Sequence, residues 1–321
     1  MLGEGEHDQP AGNIFHQIRS QIDDVIVRSG TEAHFRQYIE RLGGTRWGIF
    51  SDYVIGDRDR PSDTFVFTVA PFDMHLRDLF ELALEKTTSD LKDVKFIPEK
   101  MHRILSDSRF YSFCFSLKKG NALPYDRKTI ENGLRELVRT LRAQGGEFSA
   151  FAKNFAEVLS KARANSFSSK LFSDIVFTTS IVSYLICLIS RLAHKRPDRV
   201  GWFSDRDRIT SAYGELVRYL VALEVPAACS EVFGGWPGPE LGINGQKTRE
   251  LWCDGILRVP DYLAGTLSIL CFDHETMSSD AGKFVDMLQN IVAGQRAIRV
   301  FRASLNPNIS VREVIVNPLQ S

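Results

Sequence analysis

The sequence predicts an α/β fold: a mixed sheet with flanking helices and a helical insertion. Strand-like runs with alternating apolar residues come early, a long helical stretch fills the middle, and strand and helix then alternate to the end. That order suits a layered sheet and neither a bundle nor a sandwich. At 321 residues, 43% hydrophobic and 25% charged, the chain has the composition of a globular protein that buries its own core.

Residues 1–8 are acidic and polar and lack the basic and apolar regions of a signal peptide, and residues 1–12 read as disordered. Ile14, Ile18, Ile22 and Val25 recur at helical spacing and predict a helix over 13–28. A second helix is expected over 32–42, stopped by Gly43-Gly44. Residues 1–45 thus read as an N-terminal helical extension to a domain spanning 46–321.

Strands are expected at 46–55 and 64–70, where Phe65, Phe67 and Val69 share one face. The Gly/Asp/Pro-rich segment 56–63 joins them as a hairpin, and Pro71 closes the second strand. A helix over 74–91, a short strand at 94–97, a helix over 99–105 and a strand over 110–117 follow. Residues 126–195 read as three helices, the insertion. The last carries no charge from Ile175 to Ser190, which is short of the roughly 20 apolar residues of a membrane span. A buried core helix is therefore expected.

Next come a strand ending in Phe203-Ser204-Asp205, a helix over 209–223, and a strand over 226–233 ending near Glu231. A loop follows, with Trp236 as its anchor. Pro260 is placed in the first turn of a short helix reaching Leu270. A helix over 281–293, capped by Ser278-Ser279-Asp280, precedes two strands at 297–303 and 311–316.

Lysines and arginines number 40, as do aspartates and glutamates, so no basic field covers the whole surface and any grip on nucleic acid must be local. The five cysteines (114, 187, 229, 253, 271) have no metal spacing and mostly sit in apolar runs, which favours core thiols and a reducing cytoplasm. His75, His102, His194 and His274 are isolated. Nucleophile-elbow, Walker A and Rossmann glycine patterns are missing from the sequence.

The chemistry rests on carboxylates at the ends of apolar runs. The tripeptide Phe-Ser-Asp occurs twice, at 50–52 and 203–205, each time after a strand-like run. Asp261 lies in Arg258-Val259-Pro260-Asp261-Tyr262-Leu263-Ala264-Gly265, where small residues allow close packing. Asp52, Asp205 and Asp261 are the candidate catalytic residues and metal ligands, with Asp207 or Glu231 as a fourth ligand. Acids from separate rigid elements suit Mg²⁺ or Mn²⁺, which take oxygen ligands and serve phosphoryl transfer. The plainer alternatives are a solvated strand-end acid at Asp52 and helix-capping or first-turn acids at the other positions. Arg206, Arg208, Lys118 and Lys119 are candidate phosphate contacts.

Phe50-Ser51-Asp52-Tyr53, Phe203-Ser204-Asp205-Arg206 and the 258–265 segment together resemble the ribonuclease-H-like superfamily, nearest to largely uncharacterised bacterial proteins of that fold. In that group a first strand ends in an acidic motif before a hairpin. A later strand-end Asp precedes a helix, and an Asp-x-Leu-Ala-Gly-type motif opens a terminal helix. Tyr53 stands where the group often has Glu, and Pro260 replaces Ala. The resemblance implies a ribonuclease-H-like mixed sheet with a helical insertion at about 126–195, and a metal-dependent nuclease or related enzyme acting on DNA or RNA. Two rivals stay open. One is an inactive binding subunit of the same fold; the other is a nucleotide-sugar transferase holding a metal–diphosphate with Asp205-Arg206-Asp207. A membrane is not expected, and a protein partner or homo-oligomer is left open.

Overall fold

The computed structural model describes residues 12–72, 91, 94–163, 167–205, 207–243, 253–271, 276–277, 282–293 and 295–316. Seven strands form one mixed sheet in the order β5-β4-β1-β2-β3-β8-β9. They are β1 (Arg46–Val54), β2 (Ser62–Pro71), β3 (Tyr111–Lys118), β4 (Arg199–Ser204), β5 (Glu240–Ile243), β8 (Ile298–Ser304) and β9 (Ser310–Val314). The first three form an antiparallel meander. β4 lies parallel to β1, β5 parallel to β4, and β8 parallel to β3. A separate pair, β6 (Leu270–Cys271) with β7 (Thr276–Met277), lies apart from this sheet.

All ten residues of β2 are buried, as expected for a strand covered on both faces. Phe65, Phe67 and Val69 enter one core and Val66 and Ala70 the other, so the predicted alternation sorts β2 between two layers. The first layer holds α1 (Gly12–Arg28), α2 (Thr31–Leu42), α4 (Arg127–Gln144), α5 (Phe148–Ala162), α6 (Ser169–Leu192) and α7 (Arg208–Phe233). The second holds α3 (Glu99–Leu105), α8 (Asp254–Leu267) and α9 (Gly282–Met287), which runs on as a π-helical turn through Val292.

α6 is the axis of the first layer and the buried core helix that the sequence predicts. By length and composition it could cross a membrane, yet nearly all of it is buried in the fold. Ser168 caps it, accepting from the Leu171 amide at 3.2 Å. Buried serines satisfy themselves along the helix, Ser180 donating to the Val176 carbonyl and Ser190 to that of Ile186, both at 2.8 Å. Phe177 meets Phe65 and Phe115 edge-on, with ring centres 5.2 and 5.9 Å apart.

Several expectations need correction. Residues 226–233 continue α7 and form no strand; the strand that pairs with β4 is β5, within the segment expected to be loop. The run Val225, Ala228, Cys229 puts its buried residues at helical spacing, a period the short apolar stretch conceals. Residues 94–97 are irregular, and Phe96 is 82% exposed. α8 begins at Asp254, so Pro260 lies inside the helix and Asp261 past its middle. Trp236 does anchor its loop, edge-on to Phe233 with ring centres 5.2 Å apart and beneath the Arg196 guanidinium at 4.9 Å. The helix expected at 74–91 and the cap at Ser278-Ser279-Asp280 fall outside the described residues, apart from Leu91.

Candidate active site

The Phe-Ser-Asp repeat is a pair of neighbours in space. β1 and β4 run parallel with Gly48 opposite Gly201, Phe50 opposite Phe203 and Ser51 opposite Ser204. The shared unit is longer than the tripeptide: Gly-x-Phe-Ser-Asp at 48–52 and again at 201–205. Strand alternation sends glycine, phenylalanine and aspartate of each copy toward the α8 layer, and serine toward the α6 layer. The glycines make room for the rings. A Cβ at Gly48 would stand 2.7 Å from the Phe50 ring, and one at Gly201 would stand 2.4 Å from the Phe203 ring. The two rings stack with centres 5.3 Å apart, and Phe72 extends the stack at 5.9 Å.

Beyond this stack the two aspartates come out side by side. The Asp205 amide donates to the Ser51 carbonyl at 3.4 Å, continuing the ladder one residue past β4. α8 packs across β1 and β2 on the same face and delivers Asp261 to the pair. The Leu-Ala-Gly tail serves this approach. Leu91 donates its backbone amide to Asp261, while its side chain fills the place where a Cβ on Gly265 would come within 2.2 Å.

The electrostatics record the convergence. Burial holds the Asp52 carboxyl well above the usual range, and the charges of Asp261, Asp205 and Asp207 push it further. Asp261 is also raised, first by burial, against the pull of Arg258, whose guanidinium lies 3.4 Å away. The Asp52 and Asp261 carboxyls hydrogen-bond to each other. Asp205 is exposed at the mouth. Three oxygen donors from β1, the end of β4 and α8 fit a hard divalent cation by their chemistry. They are not drawn into ligand geometry: among the described residues no group of three His, Cys, Asp or Glu side chains stands ready to hold a metal. A cation would have to displace the shared proton and gather the carboxylates.

The remaining candidates divide. Asp207 caps α7, accepting from the Thr210 amide at 2.8 Å while Thr210 Oγ1 accepts from the Asp207 amide at 3.1 Å. Burial raises its carboxyl to about 6, and it stands close enough to act on Asp52. Glu231 is not part of the cluster. Because 226–233 is helical, it lies at the far end of α7, past a break at 212–215 and a further stretch of roughly 20 Å at about 1.5 Å per residue. There it pairs with His16 at 2.9 Å and Arg19 at 3.2 Å. Arg208 and Lys119 line a pocket on the α6 side, with Asp207 but none of the three acids. Lys118 is exposed at the end of β3, and Arg206 is outside the described residues.

Sequence reading did not single out Tyr53 or Ser51 as part of the site. Trp202 Nε1 donates to Ser51 Oγ at 3.0 Å, and Ser51 Oγ lies 2.7 Å from the Tyr53 hydroxyl, a polar chain on the α6 side of the same strand ends. The signal was present in the serine shared by both copies of the repeat. Compared with protein-family models, curated proteins and solved structures, the chain matches none.

Proposed function

We propose that the chain is a Mg²⁺- or Mn²⁺-dependent nuclease, or a related phosphoryl-transfer enzyme, of the ribonuclease-H-like kind, working in the cytoplasm. One observation carries the reading: the acids at 52, 205 and 261, picked out far apart in sequence, meet where the neighbouring strands β1 and β4 end. The resemblance asks for an acid on the first strand of a hairpin, a strand-end acid before a helix, and an acid on a later helix. β1 and the β4–α7 junction answer to the first two in order; the third acid stands on α8, though past its middle and not at a helix start.

When bound, a divalent cation supplies charge neutralisation at the phosphate and activation of a water. Asp52, Asp205 and Asp261 hold it. Arg258 orients Asp261 and offsets the repulsion among the acids. The Phe50/Phe203/Phe72 stack closes the floor beneath them against water.

The test is cleavage of labelled single- and double-stranded DNA and RNA in Mn²⁺, Mg²⁺ or EDTA, with Asp205→Asn in parallel and Mn²⁺ binding measured on Asp52→Asn. Metal-dependent cutting that vanishes in Asp205→Asn, with weakened Mn²⁺ binding in Asp52→Asn, is the expected outcome. Mn²⁺ bound equally by parent and variants, with no cutting, would favour the inactive binding subunit. Activity kept in Asp52→Asn and Asp261→Asn but lost in Asp207→Asn would favour the nucleotide-sugar transferase.

A further inference from the structure

Consecutive residues at the end of β1 point to opposite faces, so Tyr53 leaves the acids and lines a pocket of about 430 Å³ on the α6 side. The pocket is closed by the β1–β2 hairpin, the exit of β3 and the starts of α6 and α7. Its walls carry three kinds of group. Ile55, Leu171 and Ile209 are apolar, and Lys119 and Arg208 are cationic. Asp207 contributes a fully buried Oδ2 that has no hydrogen-bond donor among the described residues. Lys170 is spoken for, bridging Asp63 at 3.0 Å and Asp174. Two internal acids thus offset one lysine; Lys119 donates to the Arg58 and Arg60 carbonyls at 2.9 and 3.2 Å and keeps its third N–H, and Arg208 lines the wall at the start of α7.

A ligand that satisfies all three kinds of group has a flat apolar body, an N–H donor on its edge and an anion attached. That is the chemistry of a nucleotide: base against the apolar wall, base N–H to Asp207, phosphate to Lys119 and Arg208. The volume is that of a small-molecule site. Walls formed by two helix starts and a hairpin admit one base and exclude a base pair.

We propose that this pocket is a subsite for one unpaired nucleotide beside the acid cluster, and that the substrate is therefore single-stranded nucleic acid. The inference rests on the nucleic-acid reading above and adds the strandedness that the sequence left open. Asp207 joins the two sites: it lines the pocket and caps α7 two residues after Asp205.

The experiment is titration calorimetry in EDTA with a short single strand, a blunt duplex and a nucleoside monophosphate. The proteins are the full-length parent, Asp205→Asn, Arg208→Glu and Ile55→Trp. Arg208 is exposed, so its reversal leaves the core packing untouched. Ile55 is half-buried, and tryptophan there fills the pocket without opening the core. Parent and Asp205→Asn should bind the single strand alike. Arg208→Glu and Ile55→Trp should each weaken it by about tenfold, the loss expected for one charge-assisted contact. The duplex should not compete. Equal binding by both pocket variants and the parent, or a duplex that competes as well as the single strand, overturns the subsite. The two readings fail separately: intact pocket binding without cleavage removes the nuclease, and full cleavage by both pocket variants removes the subsite.

Discussion

Gly48→Ala is the sharpest probe of the paired repeat. The new methyl would stand 2.7 and 2.8 Å from two atoms of the Phe50 ring, a ring with no solvent exposure. Carbon contacts settle near 3.5–4.0 Å, so something must move by about 0.8 Å. Phe50 cannot swing outward, being stacked on Phe203 at 5.3 Å. Overpacking of this kind costs about 1–3 kcal/mol. Alanine recovers about 0.4–1 kcal/mol by restricting the unfolded chain, so a net loss of about 1–2 kcal/mol is expected. Gly201→Ala is a useful contrast: the methyl comes closer, at 2.4 Å, but Phe203 is only half-buried and its ring can tilt toward solvent. It should cost less stability while still disturbing the stack under Asp205. Urea unfolding of Gly48→Ala, Phe50→Leu and the double variant completes the cycle. Leucine relieves the clash, so the double variant should be more stable than the sum of the singles by about 1 kcal/mol. Gly48→Ala within about 0.5 kcal/mol of the parent, or strict additivity, would refute the reasoning.

Asp174 is buried at the start of α6, faced by Lys170, Asp63 and Arg208, and burial raises its carboxyl from 3.8 to about 6. The native state thus holds a proton that the unfolded state releases, so this group's contribution to stability is full below about pH 4 and lost as pH rises through about 6. Urea midpoints across that window should fall less in Asp174→Asn, by up to about 3 kcal/mol of the pH-dependent part. Thr178 buries a hydroxyl that makes no hydrogen bond among the described residues. Thr178→Val should be neutral or stabilising by up to about 1–2 kcal/mol in the same assay, and a clear loss would point to a partner for that hydroxyl. Phe177→Ala removes the ring that joins α6 to β2 and β3 and should cost about 3–5 kcal/mol.

Much of the sheet was legible because its strands carry their own period. Phe65, Phe67 and Val69 alternate without interruption, and the turn residues at 56–61 leave one plausible hairpin. The acids at 52, 205 and 261 were legible because each interrupts the end of an apolar run. That β1 and β4 lie side by side in register was not, because pairing across some 150 residues is decided by packing and leaves no local mark. The glycines at 48 and 201 were the overlooked sign, since a ring needs space two residues back in each strand. The misreading of 226–233 has the opposite cause: eight residues containing Pro226 are too few to separate a strand from a buried helical turn. Glu231 was lost with it.

The burial of α6 also bears on how the chain is made. α1 turns Ile18, Ile22 and Ile26 into the core beside α6, and Asp23 takes the Tyr184 hydroxyl at 3.0 Å and the Arg191 guanidinium at 2.7 Å. Those partners leave the ribosome only after more than half of the 321 residues have been synthesised. At about 5–20 residues per second, the N-terminal helices wait many seconds with their apolar stripes uncovered. When α6 emerges, a segment apolar enough to enter a bilayer meets a cover already in place. Removing the first two helices would leave that segment to find detergent, a membrane or another copy of itself.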